Sequence, residues 1–182
     1  MEWENAFEPL RDFFRRRKAL ARFRQLPVIT VQGRPNYYRA NTSPSPDWDV
    51  RIINEAKEQV GTACYALTPL NDQLWLYRMD VNPEHRREGY GLAFLDHLNR
   101  AHGLPITAIH EKFEAIAFWN TARLLDRYGL TVTPPMSDAD ITVQQKRWAH
   151  LEPLKTRLLD QIHARFDARE KWEHAISRGL DE

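Results

Sequence analysis

The chain has 182 residues, 42 % of them hydrophobic, which is enough for one good core and argues against two complete domains. Its 26 Lys and Arg nearly cancel its 25 Asp and Glu, so net charge gives no reason to expect nucleic acid or a membrane as an obligatory partner. The single cysteine, Cys64, excludes an internal disulfide and a thiolate-cluster metal site, and no apolar run is long enough for a membrane span or a signal-peptide core, so the expectation is a cytoplasmic protein without a metal.

A helix is predicted over residues 3–25, where Phe7, Leu10 and Phe14, and also Phe13 and Leu20, recur at helical spacing and Pro27 follows. Arg11, Arg15, Arg16, Arg17, Lys18, Arg22 and Arg24 make it strongly basic toward its C-terminal end, where cations suit the helix dipole and arginine stems cover apolar surface. The same charge admits RNA, DNA or an acidic protein as an alternative partner, not the favoured one, since Glu2, Glu4, Glu8 and Asp12 share the segment. Residues 27–48 carry Gly33, Pro35, Pro44 and Pro46 around the β-prone pieces VITV and YYRA, which predicts small strands and a turn-rich loop. DVRII from Asp49 and QVGTACYAL from Gln59, separated by the polar NEAKE, predict a hairpin, and LWLYRMDV a third strand. A helix built on Leu92, Leu95 and Leu98 is expected to stop at His102 and Gly103. ITAIH reads as a short strand, and residues 114–128 as a helix closed by Gly129. Strands followed by a β-α-β-α unit make an α/β domain.

The last third is expected to be mostly helical. From Pro153 onward Leu154, Leu158, Ile162 and Phe166 step by four, and Trp172 and Ile176 extend the pattern to Gly179, a helix of about 25 residues or roughly 38 Å. Such a helix docks on its own domain or forms a homodimer contact, with Trp148 and Trp172 large enough to anchor either. The expected organisation is one domain: a basic helix at 1–26, a core at 27–142 and a helical extension at 143–182.

The strand at 74–81 leads into the helix through VNPEHRREGYGLAFL, residues 81–95. The first N–H groups of such a helix lack partners and the helix dipole adds partial positive charge, so the turn suits an anion. Gly89 and Gly91 are expected to remove side chains that would hold a ligand's oxygens away, and Arg86 and Arg87 add full positive charge. A phosphate or pyrophosphate cradle is one reading, and a tight turn packed on the sheet is the other.

MDVNPEHRREGYGLAFLDHL resembles the acetyl-CoA-binding segment of the GNAT superfamily of N-acetyltransferases, whose pattern is Gln or Arg, any two residues, Gly, any residue, then Gly or Ala. Here it reads Arg86-Arg87-Glu88-Gly89-Tyr90-Gly91. The apolar strand before it, the placement of Val81 and Pro83 and the Leu-rich helix after it are similar too, and AIAFWNTARLLDRYGL resembles the family's next helix, with Phe118 and Trp119 in its aromatic positions. The similarity spans residues 49–130 and neither terminal extension. The resemblance implies a GNAT-like fold, a mixed, mostly antiparallel central sheet flanked by helices, to which this chain adds an N-terminal helix and a long C-terminal one. It implies acetyl-CoA as co-substrate, its pyrophosphate held by Arg86, Arg87, Glu88, Gly89, Tyr90, Gly91 and Leu92. The main chain of Met79 and Val81 would pair with pantetheine where the strand splays from its neighbour, and Asn120 would be a further pantetheine contact. The implied reaction is acetyl transfer to a primary amine of a protein, a small molecule or an aminoacyl-tRNA.

Transfer to an amine requires removal of a proton, stabilisation of the thioester oxyanion and a proton for the leaving thiolate. At two positions the chain departs from the family's usual means. Trp119 stands where a tyrosine often serves as acid, and Trp75 where some members carry a carboxylate; an indole N–H does neither job near neutral pH. His110 and Glu111, at the end of ITAIH, and Tyr128 are the candidate catalytic groups, weighed against strand-end and helix-capping roles for the first two and core packing for the third. Asp80 is expected to point away from the cleft. The alternative is a catalytically weak or inactive protein of this fold with a binding or regulatory role, associating with nucleic acid through its basic helix.

Overall fold

The β-branched and aromatic runs between residues 29 and 81 pair as successive antiparallel neighbours, β1 (Ile29–Asn36), β2 (Asp47–Asn54), β3 (Gln59–Leu67) and β4 (Leu74–Val81). Two short strands, β5 (Ile106–Ala108) and β6 (Val132–Thr133), then add in parallel, giving one six-stranded mixed sheet in chain order. The computed structural model from which this architecture is drawn describes residues 8–37, 42 and 44–167.

Parallel neighbours need crossovers, supplied by α2 (Tyr90–His102) between β4 and β5 and by α3 (Ile116–Arg123) between β5 and β6. Both helices pack on one face with α1 (Glu8–Phe23). Leu92, Phe94, Leu95 and Leu98 of α2, Trp119 and Ala122 of α3 and Ala19 of α1 share one core with Ile52, Val60, Leu74, Leu76 and Ile106 of the sheet. Each fully buried leucine there contributes about 1.5–3 kcal/mol by leaving water. The opposite face is covered over β4 and β5 by α4 (Asp138–Arg147), where Trp75 and Ile109 meet Ile141 and Trp148, with the two indoles 5.5 Å apart. Arg147 also pairs with Asp72. Partial burial pushes the Asp72 carboxyl up, but hydrogen bonds from Thr68 and Arg147 more than offset this and hold it below its ordinary value. Helix α5 (Glu152–Asp167) sets Leu158 and Ile162 against Tyr37, just past β1. No described helix is long and apolar enough to cross a membrane.

The predicted strands 49–53, 59–67 and 74–81, the hairpin between the first two and the end of α2 at Gly103 are all present. Three predictions need correction. The helix expected over 114–128 is α-helical only from Ile116 to Arg123, between 3₁₀ turns at Phe113–Ala115 and Asp126–Tyr128, because the chain must turn inward to bury Leu125 and Leu130 completely. Helix α4 was not expected as a separate element, and it spans the 142/143 boundary; it starts at a capping box in which Ser137 Oγ accepts from Asp140 N–H at 3.2 Å and Asp140 Oδ2 from Ser137 N–H at 2.9 Å. Ile29, Thr30 and Val31 of VITV open the longer β1, and Val28 precedes it. Most of the YYRA segment and the Trp172 to Gly179 part of the C-terminal helix lie outside the described residues.

Candidate functional site

Strand β4 outlasts its parallel neighbour. Leu74, Trp75 and Leu76 pair with Ile106, Thr107 and Ala108, and Ile109 N–H donates to the Leu76 carbonyl at 3.0 Å, but β4 continues to Val81 without β5 beside it. A β-bulge sits at the fork. On the β3 side the register passes from Tyr65↔Leu76 to Cys64↔Arg78, leaving Tyr77 as the extra residue, and such a residue bends its strand and ends regular pairing. Past the bulge, Asn82 N–H donates to the Val60 carbonyl at 2.9 Å. Antiparallel alternation then turns the main chain of Asp80 and Arg78 toward β3 and that of Met79 and Val81 outward, onto the open edge.

The edge runs into the turn. Asn82 Nδ2 donates to the Gln59 carbonyl at 2.7 Å and Arg86 Nε to the Val81 carbonyl at 3.1 Å, so both ends of the bend are tied to the sheet. Arg87 adopts φ +68°, an uncommon conformation for a non-glycine residue, and its side chain is exposed. Among the described residues nothing accepts a hydrogen bond from the backbone N–H groups of Arg87, Gly89, Tyr90, Gly91 or Leu92. These amides, at the start of a 13-residue helix, make a site of positive potential that suits an anion. Glu88 is drawn toward His85, with 3.4 Å between carboxylate and Nδ1, and the His85 ring stands edge-on to Tyr90.

Packing gives the two glycines a reason of its own beside the one expected. A Cβ on Gly89 would lie 3.1 Å from Pro27 Cδ, and one on Gly91 3.0 and 3.2 Å from two atoms of the Phe118 ring. Both directions are filled by protein, so packing of the segment after α1, and of α3, favours glycine at these positions. Gly89 has a second reason in its φ of +100°.

The remaining candidates fall in different places. His110 is exposed, in the bend where the chain leaves β5. Glu111 is engaged by Arg123, whose Nε also donates to the Thr133 carbonyl at 3.3 Å; the pair ties the bend to α3 and β6. Asn120 is exposed and accepts from Arg123 Nη1 at 3.3 Å. Tyr128 is 45 % exposed and lines a separate cavity shared with α1, so the core packing expected of it is not found. Trp75 is fully buried, with its indole N–H on Gln73 Oε1 at 2.9 Å, and Trp119 lies in the core of the other face.

Sequence reasoning missed two groups at the fork. Lys112 follows β5 and reaches Asp80 of β4 at 3.2 Å, joining the separated strands across the gap, a link with no local sequence signal. Tyr77, at the bulge, is largely buried, with its hydroxyl 3.5 Å from Thr42 Oγ1 and its pKa raised by burial above all. Burial, then the charges of Asp49 and Asp47, pushes the Cys64 thiol up to about 12, which disfavours the thiolate. Among the described residues no group of three or more His, Cys, Asp or Glu stands ready for a metal ion. No protein-family model matches the chain, and no curated protein matches it.

Proposed function

We infer that this protein is an acetyl-CoA-dependent N-acetyltransferase of the GNAT type, moving an acetyl group from the thioester to a primary amine. The observation that carries this reading is the continuity of a β4 edge that has no strand beside it, Met79 to Val81, with the open amides at the head of α2. An extended, amide-bearing arm can add to such an edge as a strand does, and the diphosphate that follows it suits the amides. The residues fit the ligand: the open amides among residues 87–92 hold pyrophosphate, Arg87 adds charge, and Arg86 fixes the Val81 carbonyl instead of reaching outward. Acetyl-CoA supplies the activated acyl carbon. His110, exposed beside the gap, is the group best situated to take the amine's proton, whereas Glu111 serves to hold the bend.

A second reading, a protein that binds the nucleotide without turnover, is favoured by the burial of both Trp75 and Trp119 in packed cores. Calorimetric titration with acetyl-CoA tests what the two share; saturable heat and a raised unfolding temperature are expected, and neither effect at millimolar ligand overturns both. Release of free thiol over a panel of amines then separates them. In the transferase, His110→Ala lowers the rate by about a hundredfold with unchanged acetyl-CoA affinity, and a wild-type rate removes His110 from the mechanism.

A further inference from the structure

Helix α1 and the end of α3 enclose a cavity of about 510 Å³, apart from the β4 edge and its turn. Its lining is an unusual combination. Arg16 and Arg17 of α1 and Arg127 of the 3₁₀ turn after α3 line it together with Leu20 and two aromatic rings, Phe13 and Tyr128. The rings are 57 % and 45 % exposed, although a large apolar ring gains most from burial. Among residues 13–37, 42 and 44–164 no carboxylate pairs with any of the three guanidiniums, while nearby Arg123 is neutralised by Glu111. The charge also runs past the cavity: residues 13–24 carry six cations and no carboxylate along about 17 Å of helix.

We propose that this cleft binds single-stranded nucleic acid, its phosphates on Arg16, Arg17 and Arg127 and a base stacked on Phe13 or Tyr128. Clustered arginines attract any anion, but exposed rings beside them add a preference for planar bases. A cation row longer than the cavity suits a strand better than a lone nucleotide, and the cavity's size suits an unpaired nucleotide better than a duplex. The proposal does not depend on acetyl transfer.

The test is fluorescence anisotropy of the full chain with a labelled, unstructured 12-nucleotide RNA across a series of KCl concentrations. Three phosphate contacts predict a log–log salt slope of about −2, and Arg127→Glu is expected to weaken binding about tenfold and flatten the slope by about 0.7. Phe13→Ala, at an exposed position, should weaken binding roughly fivefold or more while leaving the slope alone. Polyglutamate or a labelled mononucleotide binding as tightly as the RNA overturns the proposal. So does RNA affinity unchanged in both variants, each checked for a wild-type circular dichroism spectrum.

Discussion

Gly61→Ala is the sharpest probe of how the fork is built. Gly61 faces Val81 across the β3–β4 ladder, and a Cβ there would stand 2.5 Å from the Asp80 carbonyl oxygen and 3.3 Å from the Val81 Cα. Carbon–oxygen contacts between strands are comfortable from about 3.3 Å, so the two backbones must part by roughly 0.8 Å. No rotamer relieves this, because the obstructing atoms belong to the main chain. Overpacking of this kind costs about 1–3 kcal/mol, and alanine recovers about 0.5–1 kcal/mol because it loses less freedom than glycine on entering a strand. The net expectation is a loss of about 1–2 kcal/mol, or roughly 2–8 °C in unfolding temperature for a chain of this size. Urea unfolding at constant m-value measures it. Because the displaced atoms adjoin the Met79–Val81 edge, acetyl-CoA affinity should fall in the same variant. A midpoint at or above that of the wild type would refute the close approach of β3 and β4, and with it the rigid support claimed for the edge.

Other perturbations probe separate parts of the argument. Gly91→Ala should destabilise through the Phe118 ring and Phe118→Leu should relieve it, with a coupling of about 1 kcal/mol or more in a double-mutant cycle; strict additivity would return Gly91 to the role of ligand clearance. Burial lowers the pKa values of His97 and His102, and for His102 the charge of His97 lowers it further. The neutral rings are thus the folded-state form: their contribution is complete above the ordinary value of 6.5 and is lost as the pH falls from there through the depressed folded-state values. The urea midpoint should drop between about pH 7 and 5 and drop less in His97→Gln/His102→Gln; equal drops contradict this source of acid sensitivity.

Periodicity exposed those elements whose apolar residues point to a single partner or fill the whole strand. LWLYRMDV coincides with β4, and the stop at Gly103 matches a left-handed C-cap. Helix α4 escaped because it buries only Ile141 and its surface is polar elsewhere, so its start is legible in the Ser137 and Asp140 box and not in a stripe. The turn at residues 86–92 could be found from its glycines, but their physical reason could not, since Pro27 and Phe118 are distant in sequence. Glu111 was weighed as a catalytic group or a helix cap, and its pairing was not legible because its partner, Arg123, comes from α3. Tyr128 was expected inside from its place at the helix end, yet Leu125 takes the buried place. The bulge left no trace at all: apolar side chains on both faces of β4 mask a change of phase.

That bulge bears on which lengths of β4 the fold can accept. Tyr77 is the one residue of the strand outside the pairing register, so removing it would leave Leu76 against Tyr65 and Arg78 against Cys64, with every other side chain on its present face. A regular strand, freed of its bend, would let β5 follow it to the end and seal the slot between them. Chains differing by a single residue at this position would thus share one architecture while lying on opposite sides of the line between an open molecule and a closed one.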